Sequence, residues 1–268
     1  MMKLRYWLII FCFLLLTSGC ASVPTDPAEA AAYQEANDPW EPMNRKIFAF
    51  NMAADKYALR PIAKGYRAIT TPGFRLKART FLNNLKTPLT VVNDILQFNL
   101  KNAGLDLSRF IINSTLGFFG VYDVADKMGL SPNSQNLGTT MAVWDVPSGP
   151  YLVLPLLGPS NVRDASGMVG DIFLDPFYYV SHNSDDRDLK WGFWIVDGVG
   201  AIAAYENNIN LLDEGKKSSL DFYAFMRSMY QQYRKKAIER AKGTQATDNQ
   251  KANYEFSLEE DDEEDFDE

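Results

Sequence analysis

Asp38-Pro39-Trp40-Glu41-Pro42-Met43-Asn44-Arg45-Lys46-Ile47-Phe48-Ala49-Phe50-Asn51 is the stretch whose reading decides the fold. Asp38 can cap a helix, Pro39 suits the first helical position, and Glu41 completes a capping-box-like pair. Met43, Ile47, Phe50, Ala54 and Tyr57 then recur at steps of three and four, the spacing of an amphipathic helix. Arg60-Pro61 is expected to end it, because the residue before a proline avoids the helical region.

Outward from this helix the same punctuation returns. Thr71-Pro72 and Thr87-Pro88 each place a cap before a proline at an expected helix start. Phe74, Phe81 and Leu85 share the face of one helix, and Val91, Ile95 and Leu96 that of the next. Leu107, Phe110 and Ile111 mark another, closed by Gly117. In Gly117-Phe118-Phe119-Gly120-Val121 two adjacent phenylalanines stand between glycines, too apolar for a solvent loop, so the turn must meet protein or lipid. Residues 131–160 carry five prolines, and Pro155 argues against a long helix or a central strand in Tyr151–Leu157. Ser160 is expected to cap a helix running towards Asp175-Pro176. Asp186 to about Leu212 reads as a long helix, and Leu220, Tyr223, Met226, Tyr230, Tyr233 and Ala237 form a stripe to about residue 241. Ordinary helix packing accounts for such stripes by default. The fold class is all-α, with a single helical domain over 38–242 and a disordered acidic tail over 243–268.

The N-terminus addresses the chain to a membrane. Residues 1–19 combine Lys3 and Arg5 with an apolar run from Tyr6 to Leu16, shorter than the roughly 20 residues that span a bilayer. Thr17-Ser18-Gly19-Cys20 resembles a bacterial lipoprotein processing site, although Leu16 lies one place further from the cysteine than usual. Cys12 falls inside the signal, which leaves Cys20 as the lone cysteine of the mature chain and excludes an intramolecular disulfide there. Cys20 is the lipidation candidate; the alternative is an ordinary signal peptide with an incidental cysteine. By analogy with sorting signals, Ala21 points to the outer membrane. Residues 20–37 read as the lipidated tether.

Catalytic equipment is sparse. His182 is the sole histidine and sits in the polar run Ser181-His182-Asn183-Ser184-Asp185-Asp186. There is no G-x-S-x-G elbow and no phosphate-binding G-x-x-x-x-G-K-[ST] loop. Asp185, Asp186 and Asp188 lack a calcium-loop pattern. No metal and no cofactor is expected, and the chain reads as a non-enzyme. A membrane-anchored phospholipase using His182 is the enzymatic alternative, and a non-transporting structural porin accessory is the third.

The formal charge of −7 is unevenly spread. Residues 255–268 hold ten acids and no base, whereas residues 41–86 hold ten bases against two acids. A basic stretch at an anionic surface contributes about 1 kcal/mol per Lys or Arg. Arg45, Arg60, Arg67 and Arg109 are the candidates for headgroup or membrane contact, with solvated helix faces as the plain alternative. Phe118, Phe119 and Val121 are the candidates for a lipid path.

Four ordered blocks resemble the MlaA (VacJ) family of outer-membrane lipoproteins. They are Asp38-Pro39-x-Glu41-x-x-Asn44-Arg45-x-x-Phe48-x-Phe50-Asn51 with Arg60-Pro61; Asn84-Leu85-x-x-Pro88 with Asn93; Arg109-Phe110-x-x-Asn113 through Asp123-Val124-Ala125; and Gly149 through Ser160 with Arg163-Asp164. Together they cover about residues 38–180; Gln135–Thr140 departs from the family pattern, and residues 213–268 match only loosely. The resemblance implies a ring-like arrangement of amphipathic helices seated in the outer membrane and lipid-anchored on its periplasmic side. It implies removal of mislocalised phospholipids from the outer leaflet through an amphipathic channel, maintaining lipid asymmetry. The partners so implied are phospholipids, a trimeric porin and a soluble periplasmic lipid carrier; no nucleic acid is among them.

Overall fold

A computed structural model describes residues 36–183 and 187–243. Cys20, the signal and residues 244–268 lie outside the described residues, as do Asp185 and Asp186. The chain runs through α1 (Glu41–Ala54), a π-helical turn (Asp55–Leu59), α2 (Arg60–Ile69), α3 (Pro72–Leu96), α4 (Leu100–Thr115) and the short α5 (Val124–Lys127). Then follow α6 (Leu137–Val143), a hairpin of β1 (Tyr151–Leu154) and β2 (Gly158–Asn161), α7 (Val162–Leu174), α8 (Pro176–Asn183), α9 (Arg187–Ser218) and α10 (Phe222–Ala241). The fold is helical, as expected, with one small antiparallel ribbon added. Among the described residues no helix is long and apolar enough to cross a membrane.

Several boundaries depart from the sequence reading, each for a physical reason. Asp38 does not cap α1. The helix begins at Glu41, with Pro42 rather than Pro39 in its first turn. The Asp38 carboxylate is buried instead, accepting from Asn44 Nδ2 at 2.8 Å, from Arg227 Nη1 at 2.8 Å and from the Tyr223 hydroxyl. Arg60-Pro61 does not end the helix. The wider π turn comes first, so Pro61 falls in the opening turn of α2, where a missing N–H costs least. Thr87-Pro88 starts no new helix either; α3 runs on through Pro88, and Thr87 bonds back to the Asn83 carbonyl at 3.1 Å. The cap of α7 is Asn161, one residue beyond Ser160, accepting from Asp164 N at 2.7 Å.

The hairpin explains the opening motif. Asn44 accepts from Val153 N at 2.9 Å and donates to Tyr151 O at 3.1 Å. Asn51 accepts from Leu156 N at 2.7 Å and donates to Leu154 O at 2.9 Å. Two helical turns advance about 10.5 Å and three strand residues about 10 Å, so the paired asparagines match the strand repeat. Each side-chain amide thus stands in for a neighbouring strand. Pro155 sits in the connecting loop, clear of the ladder, since Leu154 pairs with Gly158. Tyr151, Val153 and Tyr223 form a small core with Ile47, Phe48 and Tyr230 against it.

Elsewhere the polarity is inverted. Among the described residues, buried polar and charged side chains outnumber buried apolar ones. The α4 face that is buried carries Ala103, Asp106, Arg109 and Asn113, while Leu100, Leu107 and Ile111 point outward. On α7, Met168, Val169, Ile172 and Phe173 are exposed side by side, and on α9 Trp191, Ile195 and Val199 form an exposed stripe. Several interior polar groups bond to one another: Thr140 Oγ1 donates to Asn93 Oδ1 at 2.7 Å, and Gln97 Nε2 donates to Thr140 Oγ1 at 2.9 Å, although Asn84 Oδ1 and Gln97 Oε1 are buried without a partner.

Candidate functional site

The turn between α4 and α5 is built from the residues singled out by sequence. Phe118 and Phe119 both adopt left-handed backbone, with φ of 53° and 57°. A bulky residue there costs on the order of 1–3 kcal/mol, so the surroundings must impose it. Glycines at either side make the turn possible. A Cβ on Gly117 would lie 2.2 Å from the Tyr122 carbonyl oxygen, and one on Gly120, whose φ is +88°, would lie 2.4 Å from Asn84 Cβ. Backbone bonds close the loop: Gly120 N donates to Asn113 O at 2.8 Å and Tyr122 N to Gly117 O at 2.9 Å. A polar staple fixes its base. Asp123 accepts from Arg109 Nη2 at 2.8 Å and Asn113 Nδ2 at 3.0 Å, while Asn113 Oδ1 accepts from Ala125 N at 3.0 Å. The result presents both phenyl rings outward, each 68% exposed, edge to face with centroids 5.8 Å apart. Val121 is half-buried on the returning strand of the turn.

Directly behind this turn lies a polar cleft of about 330 Å³, between α3, α4 and α10. Asn84, Arg109, Asn113, Asp123, Asn133 and Tyr233 are among its lining residues. Asn84 is shared: it lines the cleft, abuts Gly120 and donates to Ser114 Oγ at 2.9 Å. Deeper in, Asn133 Nδ2 donates to Asp106 Oδ2 at 2.9 Å and to Asp94 Oδ1 at 3.4 Å. Burial, then the hydrogen bond and charge of neighbouring Asp106, push the Asp94 carboxyl up to about 8. The apolar aromatic turn and the polar cleft thus share the supporting residues Asn84, Arg109, Asn113 and Asp123.

Of the four basic candidates Arg109 alone belongs to this site, and all four are committed to acids. Arg45 holds Asp221 at 2.6 Å and Glu41 at 2.7 Å, with its guanidinium over the Tyr223 ring. Arg60 holds Asp213 at 2.5 Å and Asp55 at 3.2 Å. Arg67 donates to Glu206 at 2.9 Å, and Arg109 belongs to the turn's staple. Arg45, Arg60 and Arg67 thus tie the first helices to α9 and to the start of α10. The lysines of the same stretch, Lys46, Lys56, Lys64, Lys77 and Lys86, are exposed, and Lys77 lies over the Tyr122 ring beside the turn. Asn44, Asn51 and Asn113 stand in the family blocks of the sequence but not among its site candidates, because their partners lie far along the chain or across a turn. Among the described residues no group of three or more His, Cys, Asp or Glu is placed to hold a metal ion. The side chains of His182 and Asp188 lie outside those described.

A helical fold with many amides and charges inside, broad apolar stripes outside and a strained, exposed aromatic turn defines a class of protein built to meet an apolar partner, membrane or protein. The family model for the MlaA lipoprotein matches residues 36–237, so the chain belongs to that family, and the match runs well past residue 180 into α10. A protein of Rickettsia bellii is 40% identical over 207 residues, covering 77% of this chain and 78% of its own. The "Intermembrane phospholipid transport system lipoprotein MlaA" of Escherichia coli is 30% identical over 235 residues, covering 85% of this chain and 86% of its own. A solved structure published as "Structural basis for maintenance of bacterial outer membrane lipid asymmetry" superposes with a TM-score of 0.61 at 30% identity, covering 75% of this chain and 98% of that one.

Proposed function

We propose that this chain is an outer-membrane lipoprotein, anchored through Cys20 on the periplasmic side, that removes phospholipids from the outer leaflet and passes them to a soluble periplasmic carrier. The observation that carries the reading is the exposed Phe118–Phe119 turn, whose supports Asn84, Arg109, Asn113 and Asp123 line a polar cleft. A two-chain phospholipid exposes roughly 20 kcal/mol or more of apolar surface if it enters water bare, at about 0.8 kcal/mol per CH₂. A path that offers apolar wall to the tails and polar wall to the headgroup avoids that cost. Phe118 and Phe119 supply apolar surface at the rim, and Asn84, Asn113 and Arg109 polar surface behind it. The exposed apolar faces of α4, α7 and α9 supply a seat in the bilayer with no spanning helix among the described residues. A trimeric porin is the partner that would hold the protein in the outer membrane.

The test is the outer-leaflet phospholipid content of a deletion strain. It is expected to rise, and to return to normal with the wild-type gene but not with a Cys20→Ala variant. Unchanged content in the deletion strain overturns the reading. Release of free fatty acid by the purified protein would favour the hydrolase instead.

A further inference from the structure

Where α2 meets α3, three arginines converge on one acid of α9. Glu206 is only 5% exposed. Its Oε1 accepts from Arg67 Nε at 2.9 Å and lies 3.4 Å from Arg75 Nε; its Oε2 lies 3.8 Å from Arg79 Nη1. The arginines have other attachments of unequal strength. Arg67 also reaches the Glu206 carbonyl at 3.3 Å, and Arg75 donates to Thr70 O at 2.7 Å. Among the described residues Arg79 has only its ion pair, too long for a hydrogen bond. Among the described residues Glu206 is the sole acid lining the cleft here, which measures about 380 Å³ and is completed by Pro72, Asn207 and Asn210.

Charge decides what the cleft can hold. Three guanidiniums against one carboxylate leave a surplus of two positive charges, held close by the fold. No acid sits in the first turn of α3 to relieve it. Guanidiniums with unused N–H groups match the oxygens of a phosphate, which they bind in a fork. The apolar side chains Ile69, Phe74 and Leu76 stand exposed at the same corner, between and beside the arginines in sequence. A polar anion bordered by exposed apolar side chains is the layout that an amphiphile fills. We propose that the α2–α3–α9 corner binds the phosphate of an anionic lipid, with Arg75 and Arg79 as its ligands and Glu206 as the counter-charge that positions them. This site is separate from the cleft behind the Phe118–Phe119 turn, and the proposal does not rest on the transfer reading.

The test uses the full chain in a phosphate-free maltoside detergent. Three probes are titrated: dihexanoyl phosphatidic acid, inorganic phosphate, and dihexanoylglycerol, which lacks phosphate. The phosphatidic acid is expected to bind well above the other two. Arg79→Gln is expected to weaken it about tenfold, the worth of a charge-assisted hydrogen bond, and Arg79→Lys to restore part of the loss. Glu206→Gln removes the competing carboxylate and is expected to tighten binding several-fold, which a purely structural glutamate would not do. If that variant does not fold, Arg79→Gln decides alone, since Arg79 has no hydrogen bond to lose. Equal affinity for inorganic phosphate overturns the lipid assignment. Lipid binding insensitive to Arg79→Gln overturns the site and leaves the transfer reading standing, whereas a normal leaflet composition in the deletion strain overturns transfer and leaves this site standing.

Discussion

Asp94 and Asp106 are both buried and share a single donor, the Asn133 amide. Two carboxylates in that position cannot both be charged cheaply, so Asp94 keeps its proton up to about 8. In the unfolded chain it gives up that proton near 3.8. The native state therefore binds more protons between these values, and its stability falls as pH rises through them. The contribution is fully present below about 3.8 and lost above about 8. Thermal unfolding of the purified protein should show a midpoint that declines from pH 5 to pH 8.5, and Asp94→Asn should flatten the decline; an unchanged slope in the variant would refute the shared proton. The phenylalanines of the turn pose a second residue-scale question, because their left-handed backbone favours asparagine or glycine. Phe118→Asn with Phe119→Asn should leave the unfolding midpoint in detergent equal or higher, by up to about 1–2 kcal/mol of relieved strain. The same variant should bind phospholipid vesicles more weakly and fail to restore leaflet composition. Full restoration would show that the rings serve the turn and not the lipid.

Between elements, the decisive contacts are those where backbones approach. A Cβ on Gly167 of α7 would sit 2.4 Å from Gly138 N and 2.7 Å from Gly138 Cα, on α6. Gly167→Ala must therefore push the helices apart, at a cost of about 2–4 kcal/mol in the unfolding free energy. Gly65 of α2 faces open space, so Gly65→Ala should be neutral or gain up to about 1 kcal/mol from helix propensity. Denaturant melts of the pair check the contrast, and equal effects would refute the close approach. Gly138 lies in the stretch that departs from the family's usual sequence, yet it makes this tight contact. Much of the element level was legible. Helical spacing located α1, α3, α4 and α10, and Thr71 does cap α3, accepting from Phe74 N at 3.2 Å. What escaped was non-local. No spacing within residues 38–51 reveals that Asn44 and Asn51 pair with a strand more than a hundred residues away, or that Asp38 is claimed by Tyr223 and Arg227. The prolines misled for the opposite reason: a local signal at Pro61 and Pro88 yielded to a π turn and to helix packing.

At the scale of the molecule, charge and polarity both had to be read in space. The basic stretch 41–86 reads as a membrane-facing surface, but Arg45, Arg60 and Arg67 are paired with Asp221, Asp213 and Glu206, while its five lysines are exposed and Arg75 and Arg79 share Glu206 with Arg67. The helical stripes were read as core by default, and the structure turns several of them outward. Periodicity finds an amphipathic helix but does not say which face is buried, because a hydrogen-bonded polar interior leaves the same period as an apolar one. The outward stripe on α7 gives the sharpest test of this inversion. Met168, Val169, Ile172 and Phe173 are all exposed, so replacing the four with serine removes little packing beyond the Phe173–Tyr178 ring contact. A water-facing surface would gain solubility and lose nothing else. A lipid-facing one forfeits about 1 kcal/mol for each half-buried side chain, roughly 4 kcal/mol in all, or near a thousandfold in partition. The expected outcome is an unchanged unfolding midpoint in detergent with vesicle association weakened by two to three orders of magnitude. Vesicle association equal to the wild type's would show that α7 faces something other than lipid, and would move the membrane seat to the stripes on α4 and α9.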